Sequence, residues 1–79
     1  MSVTIYTTPT CRFCAATKAF FKAHNVSYDE KDVTTDAEAR TAMIEKSGQL
    51  GVPVIDIDGK IIVGFNEQRL AELTGVAEA

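Results

Sequence analysis

The sequence has few of the residues that small domains use as staples. Its 79 residues contain two cysteines, two prolines, one histidine and no tryptophan. Two cysteines and the lone His24 fall short of the four ligands of a structural zinc site. Two cysteines also allow at most one internal disulfide, which excludes a disulfide scaffold. No apolar run approaches the ~18 residues of a membrane span. The opening Met1-Ser2-Val3-Thr4-Ile5 has no basic stretch ahead of a long apolar run, so no signal peptide is expected. Basic residues are outnumbered eight to eleven, and the net charge of −3 argues against nucleic acid as the main partner. What remains is 46% hydrophobic and 24% charged. That suits a single globular domain spanning residues 1–79, able to bury about 60% of its unfolded surface.

The spacing of the cysteines is the most informative fact. A bridge from Cys11 to Cys14 closes a loop so short that chain entropy gives roughly 2 kcal/mol, a poor staple. In a chain without a secretory signal, such a pair points to chemistry in the reducing cytoplasm.

Periodicity predicts β-α-β-α-β-β-α. Val3–Tyr6 alternates as a strand, and the turn-like Thr7-Thr8-Pro9-Thr10 follows. A helix is expected from about Arg12 to His24, with Phe13, Ala16, Phe20 and Ala23 on one face and Asn25 closing it in a left-handed conformation. Val26 to Lys31 is the second strand candidate. Thr35 and Glu38 stand where a capping box would open a second helix, which should stop near Gly48. Val54–Ile57, Asp58-Gly59 and Lys60–Val63 form a strong hairpin signal. Asn66 caps a last helix ending at about Thr74 before Gly75, with Phe65 and Leu70 placed as a hydrophobic staple. A β-α-β start followed by a hairpin makes the sheet mixed. Phe20, Phe21 and Leu70 read as core. His24, Lys18 and the acidic Asp29, Glu30, Asp32 and Asp36 read as solvated.

Cys11-Arg12-Phe13-Cys14 follows a strand and opens a helix. Unpaired N–H groups and partial positive charge at a helix start favour thiolate over thiol. Cys11 is placed to accept from the amides of Phe13 and Cys14, whereas Cys14 lies one turn inside. The asymmetry makes Cys11 the attacking sulfur and Cys14 the resolving one. Arg12 adds a cation beside Cys11.

The string Thr7-Thr8-Pro9-Thr10-Cys11-Arg12-Phe13-Cys14, then Gly51-Val52-Pro53, then Val63-Gly64-Phe65, resembles the glutaredoxin branch of the thioredoxin superfamily. The likeness is greatest to glutaredoxin-like proteins of the YruB type and to NrdH-redoxins, and it spans nearly the whole chain. It implies a thioredoxin fold of α/β class, with a four-stranded mixed sheet of order 2-1-3-4 and helices on both faces. It implies a monomeric dithiol–disulfide oxidoreductase with no bound cofactor or metal, whose redox group is the Cys11–Cys14 pair. It implies a cis Val52–Pro53 bond that turns the Val52 backbone toward an extended substrate. Phe13, Val52, Pro53, Gly64, Phe65 and Asn66, with Arg12, then form the substrate-binding set. Clients would be disulfide-containing proteins, ribonucleotide reductase among those the NrdH likeness suggests. Electrons would come from NADPH through thioredoxin reductase, or from glutathione.

The chain departs from the common glutaredoxin pattern at Arg12 (usually proline) and Phe13 (usually tyrosine). Thr7 and Thr8 stand where a basic residue is usual, and Gly64-Phe65-Asn66 replaces a Gly-Gly-acid segment. These departures favour thioredoxin reductase as the electron donor. The alternatives are a glutathione-dependent glutaredoxin and a binding module that carries an iron–sulfur cluster or metal on its cysteines.

Overall fold

Strand residues alternate between two apolar clusters, and that alternation builds the layers. The computed structural model describes residues 2–75. Its elements are β1 (Val3–Thr7), α1 (Arg12–Ala23), β2 (Asp29–Asp32), α2 (Ala37–Ser47), β3 (Val54–Ile57), β4 (Lys60–Val63) and α3 (Glu67–Thr74). The sheet order is β2-β1-β3-β4, with β1 and β2 parallel and both other pairings antiparallel, as the resemblance implies. On one face Val3, Ile5, Ile55, Ile57 and Ile62 meet Phe20 and Phe21 of α1 and Leu70 and Ala71 of α3. On the other, Tyr6 and Val54 meet Val33 and the α2 residues Ala39 and Met43. Helices therefore cover both faces. Phe21 is fully buried, and truncating such a side chain to alanine costs about 3–5 kcal/mol.

The punctuation residues behave as their chemistry dictates. Asp58 (φ 51°) and Gly59 (φ 91°) both take the positive φ that a two-residue hairpin turn requires. Asn25 (φ 56°) leaves α1 in the left-handed region. Asn66 Oδ1 accepts the Arg69 N–H at 3.1 Å and opens α3. Phe65 packs on the cluster that holds Leu70, as a staple does.

Five expectations are corrected. The second strand is Asp29–Asp32, not Val26–Lys31, because the parallel register with Thr4–Thr7 begins at Asp29. Val26 and Tyr28 pack against the core without joining the ladder. The cap of α2 is Asp36, whose carboxylate accepts the Ala39 N–H at 3.0 Å; the Thr35 hydroxyl donates to the Asp32 carbonyl instead. The buried face of α1 is Cys14, Thr17, Phe20 and Phe21, leaving Ala23 exposed, while Phe13 is exposed as its place in the substrate-binding set requires. Lys18 is not simply solvated but pairs with Glu30 at 2.9 Å. His24 is half-buried just past α1, its ring 4.6 Å from that of Phe20.

Candidate active site

One end of the sheet gathers the residues singled out above. Cys11 follows the last residue of β1 by four positions. Tyr6 of β1 pairs with Val54, and Val54 pairs with Val63. Residues 8–11, 51–53 and 64–66 therefore leave or enter the sheet at the same end of its strands. Thr7 pairs with Asp32, which brings residues 33–34 there as well.

Cys11 has the extended backbone of a helix cap (φ −83°, ψ 113°). The N–H of Cys14 donates to Cys11 Sγ at 3.0 Å. Cys14 is the one amide donor to that sulfur among the described residues; Phe13, the second expected donor, is not part of the cap. The Cys11 N–H donates back to the Thr8 carbonyl at 3.3 Å, closing the loop. The two Cα atoms are 5.2 Å apart and the sulfurs are disulfide-bonded. That Cα separation falls within the range a bridge needs without backbone movement. The two sulfurs differ in access. Cys11 is half-buried at the helix end, while Cys14 is 1% exposed.

Phe13 is 60% exposed beside the thiols, and Arg12 is exposed without an ion pair among the described residues. The Val52–Pro53 bond is cis. Pro53 is buried, and its carbonyl accepts the Gly64 N–H at 2.8 Å. This bond ties the Gly51–Pro53 loop to the turn before α3. Gly64 has φ 82°, a conformation that penalises any residue with a Cβ. Phe65 is half-buried against the core, and Asn66 has its side chain in the α3 cap.

Sequence reasoning missed two supports. Gln49 grips Gly51 from both sides: Oε1 accepts the Gly51 N–H at 2.6 Å and Nε2 donates to its carbonyl at 2.8 Å. This clamp fixes the approach to Val52 and Pro53. Behind α1, the buried Thr7 donates its hydroxyl to Glu30 at 3.0 Å, and Lys18 reaches the same carboxylate oxygen. The Lys18 hydrogen bond is the largest influence on the Glu30 carboxyl; burial opposes it, but with the Thr7 hydrogen bond and the charges of Lys18 and Lys22 the balance holds the group below its ordinary value. Neither contact has a local sequence motif to announce it.

Among the described residues, no three His, Cys, Asp or Glu side chains converge. The donor set at the helix start is two sulfurs.

The glutaredoxin family model matches residues 3–62. This chain belongs to the glutaredoxin family. It is 45% identical over 71 residues to an uncharacterized glutaredoxin-like 8.6 kDa protein in the rubredoxin operon of Clostridium pasteurianum, covering 90% of this chain and 95% of that one. It superimposes on the thioredoxin-like protein BC3987 with a TM-score of 0.86 at 36% identity, over 91% of this chain and 99% of the other. NrdH-redoxin of Escherichia coli, a glutaredoxin-like protein described as having a thioredoxin-like activity profile, aligns with a TM-score of 0.80 at 25% identity. That alignment covers 100% of this glutaredoxin-like chain and 99% of NrdH-redoxin.

Proposed function

We propose that this protein reduces protein disulfides in the cytoplasm through Cys11 and Cys14 and is itself re-reduced by a flavin-dependent thioredoxin reductase. The observation that carries the reading is the unequal placement of the sulfurs, one accepting the Cys14 N–H at a helix start and one buried behind it. The Cys11 thiolate attacks one sulfur of a client disulfide, forming a mixed disulfide and releasing the other client sulfur as a thiolate. Cys14, giving up its proton, then attacks Cys11 Sγ. The Cys11–Cys14 bond forms, the second client sulfur leaves, and two electrons have passed to the client, whose thiols take one proton from Cys14 and the second from solvent. Phe13 offers an apolar contact, and the backbone of Val52 before Pro53 offers hydrogen bonds to an extended client segment.

The preference for a reductase over glutathione rests on the turn before α3. Glutathione carries two carboxylates, each needing a counter-charge or free N–H groups. Here the Gly64 N–H is already held by Pro53, and Asn66 Oδ1 already takes the Arg69 N–H. Thr7, in place of a cation, has its hydroxyl on Glu30. The thioredoxin-like profile of the NrdH-redoxin neighbour supports the same choice.

The test compares initial rates on one protein disulfide with NADPH plus thioredoxin reductase and with NADPH, glutathione and glutathione reductase. Faster turnover in the first system is expected. Faster turnover with glutathione would make this a working glutaredoxin. Cys11→Ser should abolish reduction, while Cys14→Ser should still attack and accumulate the mixed disulfide. The reverse pattern would exchange the two roles.

A further inference from the structure

In the loop Gly51–Pro53, one residue alone has both of its backbone groups open. Helix α2 stops at Gly48, which takes a left-handed φ of 72° and donates its N–H to the Ile44 carbonyl at 2.7 Å. The reversal sets Gln49 beside Ser47, and the Ser47 hydroxyl ties the two by donating to the Gln49 carbonyl at 3.1 Å. From there the Gln49 side-chain amide takes both polar groups of the Gly51 backbone. Pro53 has no N–H, and its carbonyl is held by Gly64. Between these two held residues, the N–H and the carbonyl of Val52 form no hydrogen bond among the described residues.

A segment that lies down on this loop can therefore pair at Val52 only. Were the Gly51 groups free, they would offer a second place to pair. A strand that slips by one residue turns every side chain to its other face, and such a slip would carry a client disulfide away from Cys11. Gly51 is fitted to the clamp: a Cβ at that position would lie 2.7 Å from Gln49 Oε1, closer than nonbonded atoms approach. Its φ is not positive, so the glycine answers to the Gln49 side chain and not to a turn.

We propose that Gln49 is a positioning residue that makes this site selective for disulfides set in an extended polypeptide. It acts through Val52: by occupying both polar groups of Gly51 it leaves one open pair, and hence one register, for the client backbone. A small disulfide without peptide groups gains nothing from that order. The inference rests on the reading of Cys11 and Cys14 as a reductant of protein disulfides, and adds the residue that selects the form of the client.

The test mixes chemically reduced protein with excess disulfide in single turnover, so that no reductase enters the measurement. One substrate is a synthetic peptide with an intrachain disulfide, the other bis(2-hydroxyethyl) disulfide. Gln49→Ala should raise the half-saturating peptide concentration by up to about tenfold, near the worth of one hydrogen bond. The limiting rate should hardly change, as befits binding lost equally from ground and transition states. The rate with the small disulfide should move far less. N-methylation of the peptide, scanned through the residues flanking its first cysteine, removes a donor to the Val52 carbonyl. At one position it should cost the wild type several-fold and Gln49→Ala almost nothing, because both changes break the same pairing. Gly51→Ala, whose methyl pushes the Gln49 amide aside, should copy Gln49→Ala, and the double variant should be no worse than either. Gln49→Glu keeps an acceptor for the Gly51 N–H but sets a carboxylate against its carbonyl, so it should not rescue. An equal loss for both disulfides would mean that Gln49 merely holds the fold near the thiols, and no loss for either would mean that Val52 is presented without it. Each of these results overturns the proposal and leaves disulfide reduction intact. Full additivity of N-methylation and Gln49→Ala would overturn the route through Val52. Failure of the reduced wild-type protein to reduce either disulfide would overturn this proposal and the underlying reading together.

Discussion

Reducing the Cys11–Cys14 bond should destabilise the fold by an amount that depends on pH. The two residues are three apart in sequence, so the bond closes a loop of about four residues, for which chain entropy gives roughly 2 kcal/mol at 25 °C. Reduction gives part of this back. The freed Cys11 sulfur stays at the N-cap facing the Cys14 N–H, and as a thiolate it gains about 0.3–1 kcal/mol from the helix end. Oxidised and reduced forms should then differ by about 2 kcal/mol while Cys11 is protonated, and by nearer 1 kcal/mol once it ionises. In a domain of 79 residues, 1 kcal/mol moves Tm by about 4–8 °C. A thiol that ionises more readily in the folded state adds stability above its unfolded value of about 8.5 and loses it as pH falls through its folded value. The reduced form therefore drops further behind at low pH. Other titrating groups are common to both redox states, so the difference isolates the thiols. Above about pH 8.5 the buried Cys14, ionising only when unfolded, widens the gap again, so the useful window is pH 5–8. Calorimetry with and without a phosphine reductant should show a larger Tm gap at pH 5 than at pH 8. A gap that is flat across the window would mean that the helix start does not stabilise a Cys11 thiolate, and the assignment of Cys11 as nucleophile would lose its physical basis.

Two further perturbations probe the supports around the site. Glu30→Gln removes a carboxylate held below its ordinary 4.5, so the wild-type protein should lose that contribution as pH falls below about 4.5, while the variant shows a flatter acid limb. Both side chains are about a third exposed, so the effect should stay under about 1 kcal/mol in a Tm series from pH 3 to 7; equally steep curves would show that the pair contributes nothing. Gln49→Ala removes both bonds to Gly51, and kcat/KM for protein disulfides should fall by up to about tenfold, equivalent to one such bond at ~1.4 kcal/mol. Amide exchange at Gly51 should quicken as well, and unchanged exchange would show that the loop is ordered without the clamp.

The parts legible in sequence were those governed by local rules. Asp58-Gly59 announces its hairpin because few residue pairs tolerate two positive φ angles, and Asn66 with Gly75 brackets α3 by backbone chemistry alone. Cys11 and Cys14 are legible as a site because a strand, a tight turn and a helix start are each visible around them. The second strand was misplaced because Val26 and Tyr28 look like strand residues, while the true ladder is polar and defined only by its register with β1. Thr35 and Asp36 can both cap a helix, and the choice was made by Asp32, whose carbonyl takes the Thr35 hydroxyl. A groove lined by Thr8, Val33, Thr34, Arg40, Met43 and Leu50 could not be read at all. Its walls come from four separated stretches of chain, and only the sheet order brings Thr8, Thr34, Arg40 and Leu50 together.

The composition of β2 bears on how this protein tolerates crowding by its own copies. An outermost strand presents unpaired backbone groups that another chain can extend into a fibril-like ladder. All four residues of β2, Asp29, Glu30, Lys31 and Asp32, are charged. A second copy laid against them would bring three acidic side chains toward three more, with little apolar surface gained in return. The opposite edge, β4, is only four residues long, begins at the exposed Lys60 and gives way at once to the turn at Gly64. The sticky segment of the sheet is β3, Val-Ile-Asp-Ile, and it lies between two neighbours with its backbone fully engaged. Protection against aggregation is thus concentrated in the two outer strands, and this leaves the inner ones free to be as apolar as the core requires.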